Sequence, residues 1–363
     1  VTSQPVDVDR VDLAELFHGD YLPAIRQLGE RRRGVADPID EHDSGTGEAV
    51  WLGLVGSGAL ELGIPETVGA LPRLRPVAPV AEMIGRALYQ SPYFDTLTAM
   101  DALAVSAPAD GHGLLDPIAA GELTVAVAAH DDLSASAPLD VDPRGHLSGR
   151  RRFVAFAPDV DYLLVVGGHA EPVAALVSAD RPGVLTRRHD DIGRGDLYAV
   201  TLDSVPVDLE LRLPGGWEAV LARARLRHAC YLVGLCQGAL ELTVGYARKR
   251  QVFGQALGKL QGPAFRLAEL AARTEAVRTL AHQACADADA GEPVELAACH
   301  AVLLAGELAT DVGAEAIQLH GSYGMTTACD AQRFYRRAVV DGIRFGTGGQ
   351  LRRAAMALVS GAV

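Results

Sequence analysis

Cysteine is scarce in this chain. Cys230, Cys236, Cys285, Cys299 and Cys329 are the only five, and no two of them stand in CxxC spacing. The odd count suits a reducing, cytoplasmic setting better than a disulfide framework. No apolar run approaches the roughly 18 residues needed to cross a membrane, and the amino terminus lacks the charged-then-apolar pattern of a secretory signal. No block of like charge suggests a binding tail, and a formal net charge of −13 argues against a nucleic-acid partner. Among the 11 histidines there is no HExxH and no ligand spacing, so no metal site is expected. Gly53-Leu-Val-Gly56-Ser-Gly58 lacks the GxGxxG spacing and a preceding strand, and reads as a helix junction rather than a nucleotide loop.

What is present divides by texture. At 363 residues, 49% of them hydrophobic, the chain can bury a sizeable core over two or three domains. Residues 1–123 read mostly as helices with polar loops, the clearest loop being Gly34 to Gly47. Residues 124–211 read as a small β domain, with short runs such as Leu123-Thr-Val-Ala-Val127 and Tyr162-Leu-Leu-Val-Val166 between Gly, Pro and Asp turns. Residues 212–363 return to helical periodicity. There Leu270, Val277, Leu280 and Ala284 fall on one face of a long helix that opens after Gly262-Pro263. The expected class is α+β, in the order helical, β, helical.

Two segments carry the chemistry. The first is Tyr246-Ala-Arg-Lys-Arg-Gln-Val-Phe-Gly-Gln-Ala-Leu-Gly-Lys-Leu-Gln261, and the second is Gln318-Leu-His-Gly-Ser-Tyr-Gly-Met325. Arg250 offers a planar, permanently charged fork suited to a diphosphate, which Lys249 meets only as a point charge. Gly254 and Gly321 suit a sharp turn or a close backbone approach. Alone, the first segment also reads as a solvated basic face at a helix end, where the macrodipole favours cations. The two together resemble the flavin-binding motifs of the acyl-CoA dehydrogenase family. That resemblance implies FAD as cofactor, contacted by Arg250, Phe253, Leu257, Gln318, Gly321 and Ser322. It also implies a carboxy-terminal four-helix bundle. Ala81 to Leu88 and Leu62 to Glu66 resemble the family's amino-terminal helical region more loosely.

A third segment, Val339-Val-Asp-Gly-Ile-Arg-Phe-Gly-Thr347, resembles the family's closing Glu-Gly-Thr, with Thr347 at the cofactor. In the family that Glu removes the α-proton of the acyl thioester, while a hydride passes to the flavin. Here Phe345 stands in its place. The alternative base position on an earlier helix is Ala224, followed by Arg225. Neither side chain accepts a proton. Asp341, a turn before Phe345, is a substitute only if it is not ion-paired. Glu241 reads as structural, and His320 carries no catalytic assignment.

The family's ring-side segments are altered too. A Thr-Glu-Pro-x-x-Gly-Ser-Asp loop becomes His130-Asp-Asp-Leu-Ser-Ala-Ser136, and Trp-Ile-Thr becomes Phe153-Val154-Ala155. Ala155 lacks the hydroxyl that hydrogen-bonds a flavin ring. The retained set is the one that, in the family's tetramers, reaches across to a neighbour's FAD. The resemblance therefore implies a base-less subunit, partnered by a paralogous acyl-CoA dehydrogenase subunit that carries the base. Acyl-CoA is the implied substrate and electron-transfer flavoprotein the electron acceptor. Gly348-Gly-Gln-Leu-Arg-Arg353 resembles the base-less subunits of actinobacterial enzymes that act on sterol side-chain CoA thioesters. Two other readings stay open: a self-sufficient homotetrameric acyl-CoA or acyl-carrier-protein dehydrogenase with an unrecognised base, and a flavin-free binding or scaffold protein on the same fold.

Overall fold

The computed structural model describes residues 44–66, 70–106, 113–129, 139–142, 144–167, 173–213 and 216–361. Among the described residues four α-helices come first: α1 (Ser44–Gly56), α2 (Val77–Arg86), α3 (Tyr93–Val105) and α4 (Leu115–Ala119). The loop expected up to Gly47 gives way to helix from Ser44. Ser, Gly and Thr are poor helix formers, but Val50, Trp51 and Leu54 of α1 are buried, and that packing outweighs propensity. The Gly53–Gly58 run is the carboxy-terminal end of α1: Ser57 N–H donates to Gly53 O, and Gly58 turns at φ +73°.

Eight strands follow: β1 (Val125–Ala128), β2 (Asp140–Val141), β3 (His146–Ala155), β4 (Tyr162–Gly167), β5 (Val173–Ser178), β6 (Val184–Arg188), β7 (Leu197–Pro206) and β8 (Leu209–Leu211). They form two four-stranded sheets, ordered β1-β4-β5-β8 and β2-β3-β7-β6. Among the described residues only the β1–β4 pair is parallel. A core including Leu147, Val154, Leu163, Val177, Val200 and Leu202 lies between the sheets. The other face of β1, β4 and β5 joins the helical core through Val125, Val127, Leu164 and Leu176.

The carboxy-terminal region has three long helices, α5 (Gly216–Lys249), α6 (Gln261–Asp289) and α7 (Glu295–His320), with two shorter ones, α8 (Ala331–Asp341) and α9 (Gly348–Ser360). A two-strand hairpin, β9 (Gln251–Val252) and β10 (Gln255–Ala256), joins α5 to α6. Helix α6 begins at Gln261, so Pro263 sits inside its first turn, where a missing N–H costs nothing. Leu270, Val277 and Ala284 are buried on one face, with Leu280 at its edge. Helix α7 is long and apolar enough to cross a membrane by length and composition, although charged residues such as Glu307 and Asp311 interrupt its apolar run. It packs against α5, α6, α8 and α9, as a bundle's core helix does.

Helix α5 is the hub, packing on α2, α3, α6, α7 and α8. At its crossing with α2 the backbones nearly touch: a Cβ on Gly85 would fall 1.9 Å from Tyr231 O, and one on Gly234 would fall 1.9 Å from Glu82 O. Ion pairs flank this crossing. Arg86 Nε lies 2.9 Å from Glu241 Oε2, and Glu82 meets Arg278 at 2.9 Å and His282 at 2.6 Å. Glu241 thus has a structural partner.

Candidate functional site

The motif residues fall into two groups at opposite ends of the long helices. At the end of α5, Arg248 and Lys249 occupy the last turn, where cations are favoured, and Arg250 follows it. The β9–β10 hairpin then turns through Phe253 at φ +49° and Gly254 at φ +76°, the two positive angles of a type I′ turn. Phenylalanine is a poor residue for that conformation, and this one is 92% exposed. Strain combined with full exposure of a large apolar ring is a functional signal. Leu257 N–H donates to Arg250 O at 2.8 Å, folding the hairpin back so that Leu257 packs on the core beside Arg250. Among the described residues the Arg250 guanidinium has no ion-pair or hydrogen-bond partner.

The second motif arrives at the same end. The His320 ring stacks on Tyr246 at 4.2 Å and 27°, while its Nδ1 donates to Ala316 O at 2.7 Å. Burial lowers the pKa of His320, so it packs as a neutral ring. Gln318 is exposed on the last turn of α7. Gly321 ends that helix at φ +65° and ψ −146°, a conformation glycine alone adopts readily, although a Cβ there would meet nothing within 4 Å. Ser322 is exposed in the turn that follows. One end of the bundle therefore gathers Arg250, Phe253, Leu257, Gln318, Gly321 and Ser322.

Thr347 does not join them. It caps α9 in a capping box, accepting from Gln350 N–H at 3.3 Å while its own N–H and hydroxyl reach Gln350 Oε1 at 2.8 Å. Gly348, its neighbour, lies beside Leu303, about 22 Å along α7 from Gln318.

Phe345 and Ala224 lie at this second end. Both are buried, in one apolar cluster with Leu221 and Trp217. The Phe345 ring meets His228 edge-on at 4.9 Å, and Arg225 Nε donates to Phe345 O at 3.2 Å. From Ala224 to the end of α5 is about 40 Å, so the two groups cannot meet around one point in this chain.

Beneath Phe345 lies a network that sequence reasoning missed. Asp341, fully buried, accepts from the Tyr231 hydroxyl at 2.6 Å and from Arg194 Nη1 at 3.0 Å; Arg194 also holds Asp196 at 2.7 Å. Burial pushes the Asp341 pKa up, but Arg194 and Arg337 outweigh it and hold the carboxyl at about 2. So paired, Asp341 is too weak a base to serve in place of a glutamate. His228 Nε2 donates to Asp341 O at 2.7 Å, and burial lowers its pKa to about 4. Arg344 pairs with Asp95 at 2.7 Å, and burial outweighs that pairing to raise the Asp95 pKa. A cavity of about 10 Å³, lined by Gln90, Phe94, Arg194, His228, Tyr231 and Arg344, has room for one water. No sequence signal marks the network, because Arg194 belongs to a turn of the β domain and Asp341 to a distant helix.

In the β domain, Phe153 stands at φ +58° and stacks on His189 at 4.9 Å. Ala155 is fully buried and pairs with Leu197 in the sheet. The His130–Ser136 segment lies outside the described residues.

Residues 216–358 match the family described as acyl-CoA dehydrogenase, C-terminal domain. A probable acyl-CoA dehydrogenase of Mycobacterium tuberculosis, FadE25, is 33% identical over 157 residues. The chain spans about two fifths of the length of that relative: the match covers 42% of this chain and 40% of the other. A solved Tcur3481-Tcur3483 steroid ACAD variant superimposes end to end, with a TM-score of 0.85, 27% identity, and coverage of 96% of this chain and 98% of that one. Residues 216–358 are thus an acyl-CoA dehydrogenase C-terminal domain, and the chain as a whole has the acyl-CoA dehydrogenase fold. The ChsE4-ChsE5 complex of Mycobacterium tuberculosis has the same fold at a TM-score of 0.82, with 22% identity and coverage of 93% and 97%.

With this fold, the chain fits FAD unevenly. The exposed, unpartnered Arg250 and the projecting Phe253 suit a diphosphate and an aromatic ring presented from outside. At the segments that the resemblance assigns to the flavin ring and the base, Phe153 is already stacked, Ala155 has no hydrogen-bonding side chain, and Phe345 and Ala224 are apolar.

Proposed function

We propose that this chain is the base-less subunit of an FAD-dependent acyl-CoA dehydrogenase heteromer. It completes the cofactor site of a paralogous subunit that carries the catalytic carboxylate. The observation that carries this reading is the separation of the site in two: cofactor-facing groups stand free at one end of α5, while both base positions are sealed in an apolar cluster at the other. FAD, when bound, supplies a hydride acceptor. Arg250 would neutralise its diphosphate by a charge-assisted fork, and Phe253, Gln318 and the Gly321 turn would hold it from the neighbouring side. Proton removal has no acceptor here, so it falls to the partner. The steroid-acting and heteromeric neighbours support a sterol side-chain CoA thioester as substrate. The electron acceptor is then electron-transfer flavoprotein.

The test is expression of the chain alone and with the paralogue. Alone, it is expected to hold less than stoichiometric FAD and to oxidise no acyl-CoA. Co-expressed, the pair is expected to purify together with one FAD per heterodimer and to turn over. One FAD per subunit with turnover in the lone chain would overturn the proposal.

One observation favours a second reading, a self-sufficient enzyme. His228 is neutral, lies edge-on to Phe345, and keeps a buried Nδ1 with no partner. As base it would need substrate to enter a space with room for only one water. Activity in the lone chain that His228→Gln abolishes would select this reading.

A further inference from the structure

Two segments far apart in the chain carry the cofactor-facing groups, and one pair of rings joins them. Tyr246, half-buried in the last turn of α5, accepts the Arg250 N–H at its carbonyl at 2.9 Å, and Arg250 O in turn accepts from Leu257 N–H at 2.8 Å. Its backbone therefore seats the Arg250 end of the hairpin, while its ring stacks on His320, the last residue of α7, at 4.2 Å and 27°. Nδ1 of His320 donates to Ala316 O one turn back, which fixes the orientation of the imidazole. The chain then folds back over that side chain. A Cβ on Gly324 would fall 2.8 Å from His320 Cβ and 2.8 Å from Ile317 O, so the Gly321–Met325 turn lies against the base of the same residue.

The polar bonds of that turn stay within residues 321–329. The Tyr323 hydroxyl donates to Ala328 O at 2.9 Å, and the Thr326 N–H and hydroxyl both donate to Tyr323 O, at 3.0 and 2.8 Å. Among the described residues no hydrogen bond or ion pair ties residues 321–325 to α5. No charge holds His320 either. Glu315 of α7 is occupied by Arg266 of α6 at 3.3 Å, Asp330 ahead of α8 by Arg333 at 3.4 Å, and Arg248, Lys249 and Arg250 stand exposed beyond Tyr246. Burial drives the His320 pKa down against the opposing Ala316 bond, so the ring stacks uncharged. A flat ring pair fixes orientation as well as distance, which an aliphatic contact of the same bulk does not.

We propose that Tyr246 and His320 are positioning residues: their stack fixes the Gly321–Met325 turn against the end of α5 and so sets the spacing between Arg250 and the edge formed by Gln318 and Gly321. A guanidinium fork and a backbone turn grip one ligand together only while they are held to within about 0.5 Å of the working geometry. The two rings supply that constraint between elements whose sequence positions differ by a whole helical hairpin. The position of the turn is a property of this chain alone; that the ligand it serves is FAD rests on the subunit reading.

The test compares Tyr246→Ala, Tyr246→Leu and Tyr246→Phe in the full-length chain, alone and in its complex. Leucine keeps apolar bulk without a ring, so it decides the question even if the alanine variant does not fold; phenylalanine keeps the ring without the hydroxyl. In the lone chain, amide exchange of residues 321–325 is expected to quicken about two- to tenfold with alanine and leucine, the range an aromatic pair contributes beyond its buried area, and to match the parent with phenylalanine. Exchange in the interior of α7 should not change, which separates a loosened turn from a loosened fold. The His320 imidazole, read by NMR, should titrate nearer its ordinary pKa in the alanine and leucine variants, because an uncovered ring regains water. In the complex, FAD affinity should fall by a similar factor with Arg250 intact, and phenylalanine should restore it. Unchanged exchange and imidazole titration in Tyr246→Leu would overturn the proposal, as would a phenylalanine variant that behaves like the alanine one. A loosened turn with unchanged flavin affinity would keep the positioning pair and overturn the subunit reading instead.

Discussion

Phe345 and Ala224 pack into one buried cluster, so the two positions that the sequence resemblance assigns to a proton-removing carboxylate are neighbours in space. Both hold apolar side chains, and the surrounding charges are already used. Arg344 pairs with Asp95, and Arg225 donates to the Phe345 carbonyl and to Cys299.

That arrangement predicts the result of Phe345→Glu. A carboxyl placed at a 4%-exposed position without a free cation should lower stability by about 3 kcal/mol and titrate well above its usual range. No acyl-CoA oxidation should appear in the chain or its complex, because flavin and substrate must already be oriented beside a base. Thermal midpoint and turnover per FAD check both parts. New activity would show that only the base had been lost.

Arg250→Ala should release flavin from the complex while each subunit stays folded. Losing a hydrogen bond to a charged group costs about 1.5–3 kcal/mol, roughly ten- to hundredfold in cofactor affinity. Arg250→Lys should recover part of this, since an ammonium cannot fork. Flavin content after gel filtration measures it, and an unchanged value would return Arg250 to a solvated helix end.

Gly85→Ala and Gly234→Ala should each fail to reach the native fold or lose at least ~3 kcal/mol. Either Cβ would fall 1.9 Å from a carbonyl oxygen of the facing helix, and backbone cannot yield as a side chain can. Gly245→Ala, on the same α5 helix with nothing within 4 Å of its Cβ, is the control and should be nearly neutral. Denaturant midpoints compare the three.

His228 should make stability fall with acid. Its folded pKa of about 4 lies below the ordinary 6.5, so the unfolded chain binds the proton more readily. Stability is complete above pH 6.5 and is lost as pH falls toward 4, by up to roughly 3 kcal/mol. Asp341 acts lower: its depressed pKa contributes stability that is lost between about pH 4 and 2. The slope between pH 6.5 and 4 should be smaller in His228→Gln. An identical slope in the variant would place the titrating group elsewhere.

Much of this protein is legible in its sequence. Alternation and turn residues mark the strands, and 3.6-residue periodicity marks the long helices, because each element reports its own burial through local pattern. Two short segments name Arg250, Phe253, Gln318 and Gly321, which the fold brings to one end of the bundle. The start of α1 could not: Ser44 to Gly47 look like a loop, and only the burial of Val50, Trp51 and Leu54 makes them helix. Nor does the sequence reveal that α5 holds the two groups about 40 Å apart, or that Thr347 caps a helix away from Gln318. The Arg194–Asp341–Tyr231 network joins residues from a turn of the β domain and two separate helices. Local pattern encodes which way each segment faces. Which distant charges then meet in a low-dielectric interior, and which donors are left without an acceptor, is decided only when the segments pack.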